Sequence, residues 1–195
     1  MPTSNAILLP TNIQPASYAI HLTPDFEAFT FAGEETVEIE VLESTNSIVM
    51  NAAELQVSEA SFTDAIGEAS AANGIIVSED GETLTLSFPN ALSAGKGALH
   101  IVFTGELNDR LTGFYRSQYT ESDGKSHVMA TTQFEPSSAR RSFPCWDEPA
   151  LKATFKLTLT VPTAMDAVSN MPVVSESASG PMKTVTFTES PIMST

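Results

Sequence analysis

Thr36-Val37-Glu38-Ile39-Glu40-Val41 alternates apolar and polar residues without a break. Successive side chains of an extended strand point to opposite faces. Val37, Ile39 and Val41 therefore share one face, and Glu38 and Glu40 share the other. That is a strand with one face in a core and one in water. Thr83-Leu84-Thr85-Leu86-Ser87-Phe88 repeats the pattern, and so does Thr154-Phe155-Lys156-Leu157-Thr158-Leu159-Thr160-Val161. Working outward, further strands are expected at 18–23, 47–52, 98–103, 113–119, 127–134, 167–171 and 183–187. Asp80-Gly81 and Asp123-Gly124 lie between strand-like runs and read as hairpin turns. Pro10, Pro15 and Pro24 punctuate the start, and Pro162, Pro172 and Pro181 the end.

Helical periodicity of useful length is missing. One short helical turn is expected near 137–143, with Ser137 or Ser138 as its cap. The Ala- and Ser-rich stretch 60–72 reads as strand plus loop, and no fixed-period repeat occurs. Many short strands with regular turns imply an all-β, antiparallel, two-sheet sandwich or saddle-like domain.

The chain has 195 residues, enough to build a core without disulfide or metal staples. Its single cysteine, Cys145, excludes a disulfide framework and fits a reducing compartment. No apolar run reaches membrane-spanning length, the N-terminus lacks a basic, long-apolar leader pattern, and no Asn-x-Ser/Thr occurs. A cytoplasmic location follows as the expectation.

The formal net charge is −15, unevenly spread. Residues 1–95 hold 14 acidic residues and no Lys or Arg, whereas residues 96–195 hold 9 basic against 10 acidic. Such a charge repels phosphate backbones and anionic lipid, so neither nucleic acid nor membrane is an expected partner. The plainer meaning is a solvated acidic face.

His-Glu-x-x-His, a Gly-x-Ser-x-Gly elbow and a phosphate-binding glycine loop are all absent. His21, His100 and His127 stand singly in separate strands, so no metal site is expected in this chain. Cys145, between Pro144 and Trp146, reads as buried filler, and Phe143 and Trp146 as core anchors.

Chemically interesting residues concentrate in Thr131-Thr132-Gln133-Phe134-Glu135-Pro136-Ser137-Ser138-Ala139-Arg140-Arg141-Ser142-Phe143-Pro144-Cys145-Trp146-Asp147-Glu148-Pro149-Ala150. Continued strand alternation puts Gln133 and Glu135 on one face and Phe134 on the other, with Pro136 ending the strand at a sheet rim. Arg140 and Arg141 are expected to pair with Asp147 or Glu148. Glu135 has a structural alternative, an ion pair with Arg140 or Arg141 or a turn-capping role. Gln133 has one too, as an ordinary strand amide bonded to backbone.

This stretch resembles the hallmark at the end of the N-terminal β-domain of aminopeptidase N-like zinc aminopeptidases, nearest the puromycin-sensitive type. Leu9-Pro10, Pro15-Ala16-Ser17-Tyr18, Gly113-Phe114-Tyr115-Arg116-Ser117 and Pro191-Ile192-Met193-Ser194-Thr195 agree in order. The resemblance implies a tail at 1–8 and a β-domain at 9–195, cut before the zinc-carrying catalytic domain. Ile192 and Met193 are then expected to start a strand of the longer protein. It also implies that the parent enzyme removes N-terminal amino acids from peptides, with zinc held outside this chain, and that this chain alone is inactive. Its partners would be the peptide N-terminus and its own catalytic domain. Gln133 would line the pocket for the first side chain and Glu135 would contact the free α-amino group. The competing expectation is a stand-alone β-sandwich binding or scaffold module, or a shortened product with no role.

Overall fold

A computed structural model describes residues 8–78 and 82–195. The Asp80-Gly81 turn and most of the tail at 1–8 lie outside those residues. The described chain runs through β1 (Ile13–Asp25), β2 (Thr30–Val41), β3 (Thr45–Asn51), β4 (Leu55–Asp64), β5 (Ala69–Ala71), β6 (Gly74–Val77) and β7 (Thr83–Leu92). It continues through β8 (Gly95–Glu106), β9 (Gly113–Thr120), β10 (Ser126–Gln133), β11 (Thr154–Pro162), β12 (Val173–Ser179) and β13 (Met182–Phe187). A single 3-10 turn at Ala139–Arg141 is the helical element among these residues, inside the expected window. Ser138 precedes it but makes no side-chain cap; its hydroxyl instead accepts from Thr112 Oγ1 at 2.7 Å.

The strands form three sheets. The largest has the order β12-β13-β11-β1-β2-β8-β4-β5; β3-β7-β6 form a second, and β9 and β10 pair as a separate hairpin. The architecture is therefore all-β as expected, with the hairpin as a third sheet. Pairing is antiparallel with one exception, β1 against β11, where Ser17 faces Thr154 and Leu22 faces Leu159 in parallel register. The chain separating those two strands is long enough to allow a parallel return.

Alternation along β2 places the core. Phe31, Val37, Ile39 and Val41 are buried while Glu34, Glu38 and Glu40 are exposed. Ile48 and Met50 on β3 and Leu84 and Leu86 on β7 join the same buried cluster as Leu99, Ile101 and Phe103 on β8. Two glycines make room for aromatic rings across a strand pair. Gly33 stands opposite Phe103, and Gly105 opposite Phe31. A Cβ on Gly33 would lie 2.2 Å from the Phe103 ring, and one on Gly105 2.3 Å from the Phe31 ring. Phe31 in turn meets Phe114 of the hairpin edge-on at 5.1 Å, which ties the small sheet to the large one. Asn108 shapes the chain's entry into that hairpin. Its Oδ1 accepts from Arg110 N at 2.8 Å and its Nδ2 donates to Thr112 O at 2.9 Å.

One local expectation is corrected. Residues 167–171 are irregular: Val168 is 84% exposed, and no neighbouring strand satisfies that backbone. The strand near there is β12, a Ser-rich edge that pairs with β13. Met193 makes one isolated antiparallel bridge to Ala153, with N–O distances of 2.9 and 3.0 Å.

Candidate functional site

The 131–150 stretch is fastened to the body at several points. Cys145 and Asn51 exchange backbone hydrogen bonds at 2.7 and 2.9 Å. The Asn51 side chain accepts from Asp147 N at 3.1 Å. The backbone N–H of Trp146 donates to the Tyr18 hydroxyl at 3.2 Å. Trp146, Phe143 and Cys145 are all buried, as their apolar character suggests. Burial, and secondarily the Asp147 and Glu35 charges, pushes the Cys145 thiol well above its ordinary range. It stays protonated and is no nucleophile.

The two arginines find partners near and far. Arg140 Nε meets Asp147 Oδ2 at 2.9 Å and Arg140 Nη1 meets Glu82 Oε2 at 3.1 Å. Arg141 Nη1 meets Glu54 Oε1 at 2.6 Å. Glu148, the other expected partner, instead accepts from the backbone N–H of Leu9 at 2.8 Å. Among the described residues neither arginine forms an ion pair with Glu135, so that structural role does not occur here.

Gln133 is the last residue of β10, directly opposite Gly113 on β9. Glu135 lies two residues beyond the strand end, and both side chains are exposed. Gln133 Nε2 approaches Glu135 O at 3.5 Å. Because the strand stops at Gln133, period-2 alternation does not extend to Phe134. Gln133, Phe134 and Glu135 all line one cleft of about 1160 Å³; the Phe134 ring packs on Phe143, whereas Gln133 and Glu135 are exposed. The opposite walls come from Leu157 and Leu159 on β11, the irregular 164–171 segment and Ser194-Thr195. A shallower hollow of about 320 Å³ lies elsewhere, against His21, Glu34, Lys156 and Thr158, and holds neither Gln133 nor Glu135.

The cleft combines apolar walls with an exposed carboxylate and an amide at one rim. A carboxylate so placed can accept from an ammonium group, and an amide can donate or accept beside it. Among the described residues no three His, Cys, Asp or Glu side chains come together to hold a metal. His21 bonds Thr160 Oγ1 at 2.8 Å, His100 sits 3.8 Å from Glu34 and His127 stacks on Tyr119. These residues do not fit a zinc site.

One buried group escaped the sequence reading. Glu35 on β2 is 1% exposed and faces the core. Neither of its carboxyl oxygens has a hydrogen-bond partner among the described residues. Burial holds its acidity well away from the usual carboxylate range, in the direction of the protonated form.

Residues 14–195 match the peptidase M1 N-terminal domain. The chain is 48% identical over 190 residues to Aminopeptidase M1 of Arabidopsis thaliana, covering 96% of this chain and 22% of that protein. It is 43% identical over 190 residues to Aminopeptidase 2 of Candida albicans, covering 96% and 20%. It is 40% identical over 188 residues to the puromycin-sensitive aminopeptidase of Caenorhabditis elegans, covering 95% and 20%. The chain thus spans about a fifth of the length of the curated relatives it matches.

Proposed function

From the premise that this chain belongs to the peptidase M1 N-terminal domain family, we propose that it forms the substrate-anchoring wall of a zinc aminopeptidase. Hydrolysis and zinc then belong to sequence outside these 195 residues, and the chain alone is inactive. The substrates are peptides with a free N-terminus, met between this domain and the parent's catalytic domain. Gln133 lines the pocket for the first side chain, and Glu135 accepts from the α-ammonium. The parent acts in the cytoplasm. The lone buried thiol suits a reducing compartment, and the acidic surface disfavours nucleic acid and anionic membranes as partners.

The observation that carries this reading is the exposed carboxylate of Glu135 at the rim of the cleft, unclaimed by Arg140 and Arg141 among the described residues. A charge-assisted hydrogen bond from an ammonium contributes about 1.5–3 kcal/mol. A peptide amide at the same place offers no charge, so the contact also separates chain ends from chain interiors. The test uses the full-length enzyme and two inhibitors that differ only in the α-amino group. Wild-type enzyme favours the amino form. Glu135→Gln is expected to shrink the ratio of inhibition constants by roughly tenfold or more, since 1.4 kcal/mol corresponds to tenfold. An unchanged ratio would remove Glu135 from the site.

A further inference from the structure

Gln133 and Glu135 stand at the point where the sheet stops holding the chain. Gln133 is the last residue of the β9–β10 ladder, so no strand pairing fixes the two residues that follow. A two-residue rim left to itself would sample many positions, and each would weaken an oriented contact. Something other than the ladder has to hold it.

We infer that Phe134 is the positioning residue of this site: its ring, docked on Phe143, sets where the Gln133 amide and the Glu135 carboxylate stand in the cleft. This rests on the anchoring role proposed above. Phe134 meets Phe143 edge-on, with ring centroids 6.0 Å apart at 69°. Phe143 meets Tyr18 at 6.0 Å and 68°, and Phe155 at 6.4 Å and 64°. Tyr18 on β1 and Phe155 on β11 stack at 5.0 Å and 9°. Tyr18 and Phe143 are buried. The four rings therefore form a continuous path from the parallel strand pair of the large sheet to the residue between the two rim side chains. Edge-to-face and offset-stacked rings resist sliding better than aliphatic contacts of equal area. The backbone completes the clamp, because Ser138 N–H donates to Phe134 O at 2.6 Å. Phe134 is thus held by its ring and its carbonyl, and the residues on either side inherit that placement. A misplacement of about 1 Å in such a contact costs on the order of a hundredfold in rate.

The test is the paired-inhibitor ratio in the full-length enzyme, read beside the melting temperature. Phe134→Ala removes the ring, Phe134→Leu keeps apolar bulk without the aromatic edge, and Phe134→Tyr keeps the ring. A merely structural ring would lower the melting temperature and leave the ratio alone. The expected result is a ratio narrowed about tenfold in Phe134→Ala, narrowed in part in Phe134→Leu, and near wild type in Phe134→Tyr. If Phe134→Ala does not fold, Phe134→Leu decides. A wild-type ratio in a folded Phe134→Ala or Phe134→Leu enzyme overturns the inference. Glu135→Gln in the same assay separates the two claims. If it narrows the ratio and the Phe134 variants do not, only the positioning role fails; if it leaves the ratio unchanged, the anchoring role fails and the positioning role with it.

Discussion

Replacing Glu35 with leucine should make this domain more stable. Glu35 lies on the core face of β2, between Ile20 on β1 and Ile101 on β8, both buried. Its carboxyl oxygens have no partner among the described residues. An unsatisfied buried polar group costs about 1–3 kcal/mol, and leucine fills similar space without it. For a chain of this size each kcal/mol moves the melting temperature by about 2–4 °C, so the expected gain is roughly 2–12 °C. The pH dependence gives a second signature. Burial raises the pKa of folded Glu35 above its unfolded value, so the native state binds the proton more tightly. The stability from that proton is fully present below the unfolded carboxylate range near pH 4.3 and is lost as pH rises through the folded value. Leucine removes the loss, so its advantage should widen between pH 5 and pH 8. Glu35→Gln should flatten the same slope while keeping an unsatisfied polar head. Calorimetry of all three proteins at several pH values measures both effects. A Glu35→Leu protein that melts lower than wild type at pH 8, or whose advantage is equal at every pH, would refute the reasoning.

Gly33→Ala should drive a Cβ into the buried Phe103 ring, costing about 1–3 kcal/mol by overpacking; urea denaturation should show a lower midpoint with an unchanged slope. Arg140→Ala should strand Asp147, whose side chain is 7% exposed, and cost about 3 kcal/mol or more. Adding Asp147→Asn should restore part of that loss in a double-mutant cycle. Cys145 should resist thiol reagents in the native protein and react fully once denatured, since only opening exposes it; rapid native labelling would contradict its placement.

Strands that alternate strongly were legible from sequence, and Val37, Ile39 and Val41 point into the core as their spacing requires. Strands defined mainly by pairing were not. β12 is wholly exposed and Ser-rich, and only its register with β13 makes it a strand. Ala167, Val168 and Met171 are apolar, yet the 167–171 segment has no partner strand among the described residues. At the candidate site, Pro136 marked the rim correctly. The strand, however, ends at Gln133, two residues short of Glu135. Glu54 lies 87 residues from Arg141, and no local pattern announces that pairing. Glu35 follows Glu34 directly in the sequence, and only the sheet's face assignment shows that it is buried.

The central claim, that Glu135 anchors the free end of a peptide, is tested most directly by one variant measured two ways. Glu135→Gln keeps size and removes charge. In the full-length enzyme, kcat/KM for peptides with a free amino terminus should fall roughly tenfold or more, equivalent to about 1.4 kcal/mol or above. The melting temperature should hardly move, because an exposed carboxylate outside the Arg140 and Arg141 ion pairs contributes little to stability. A Glu135→Gln enzyme with nearly normal kcat/KM and a lowered melting temperature would contradict the account.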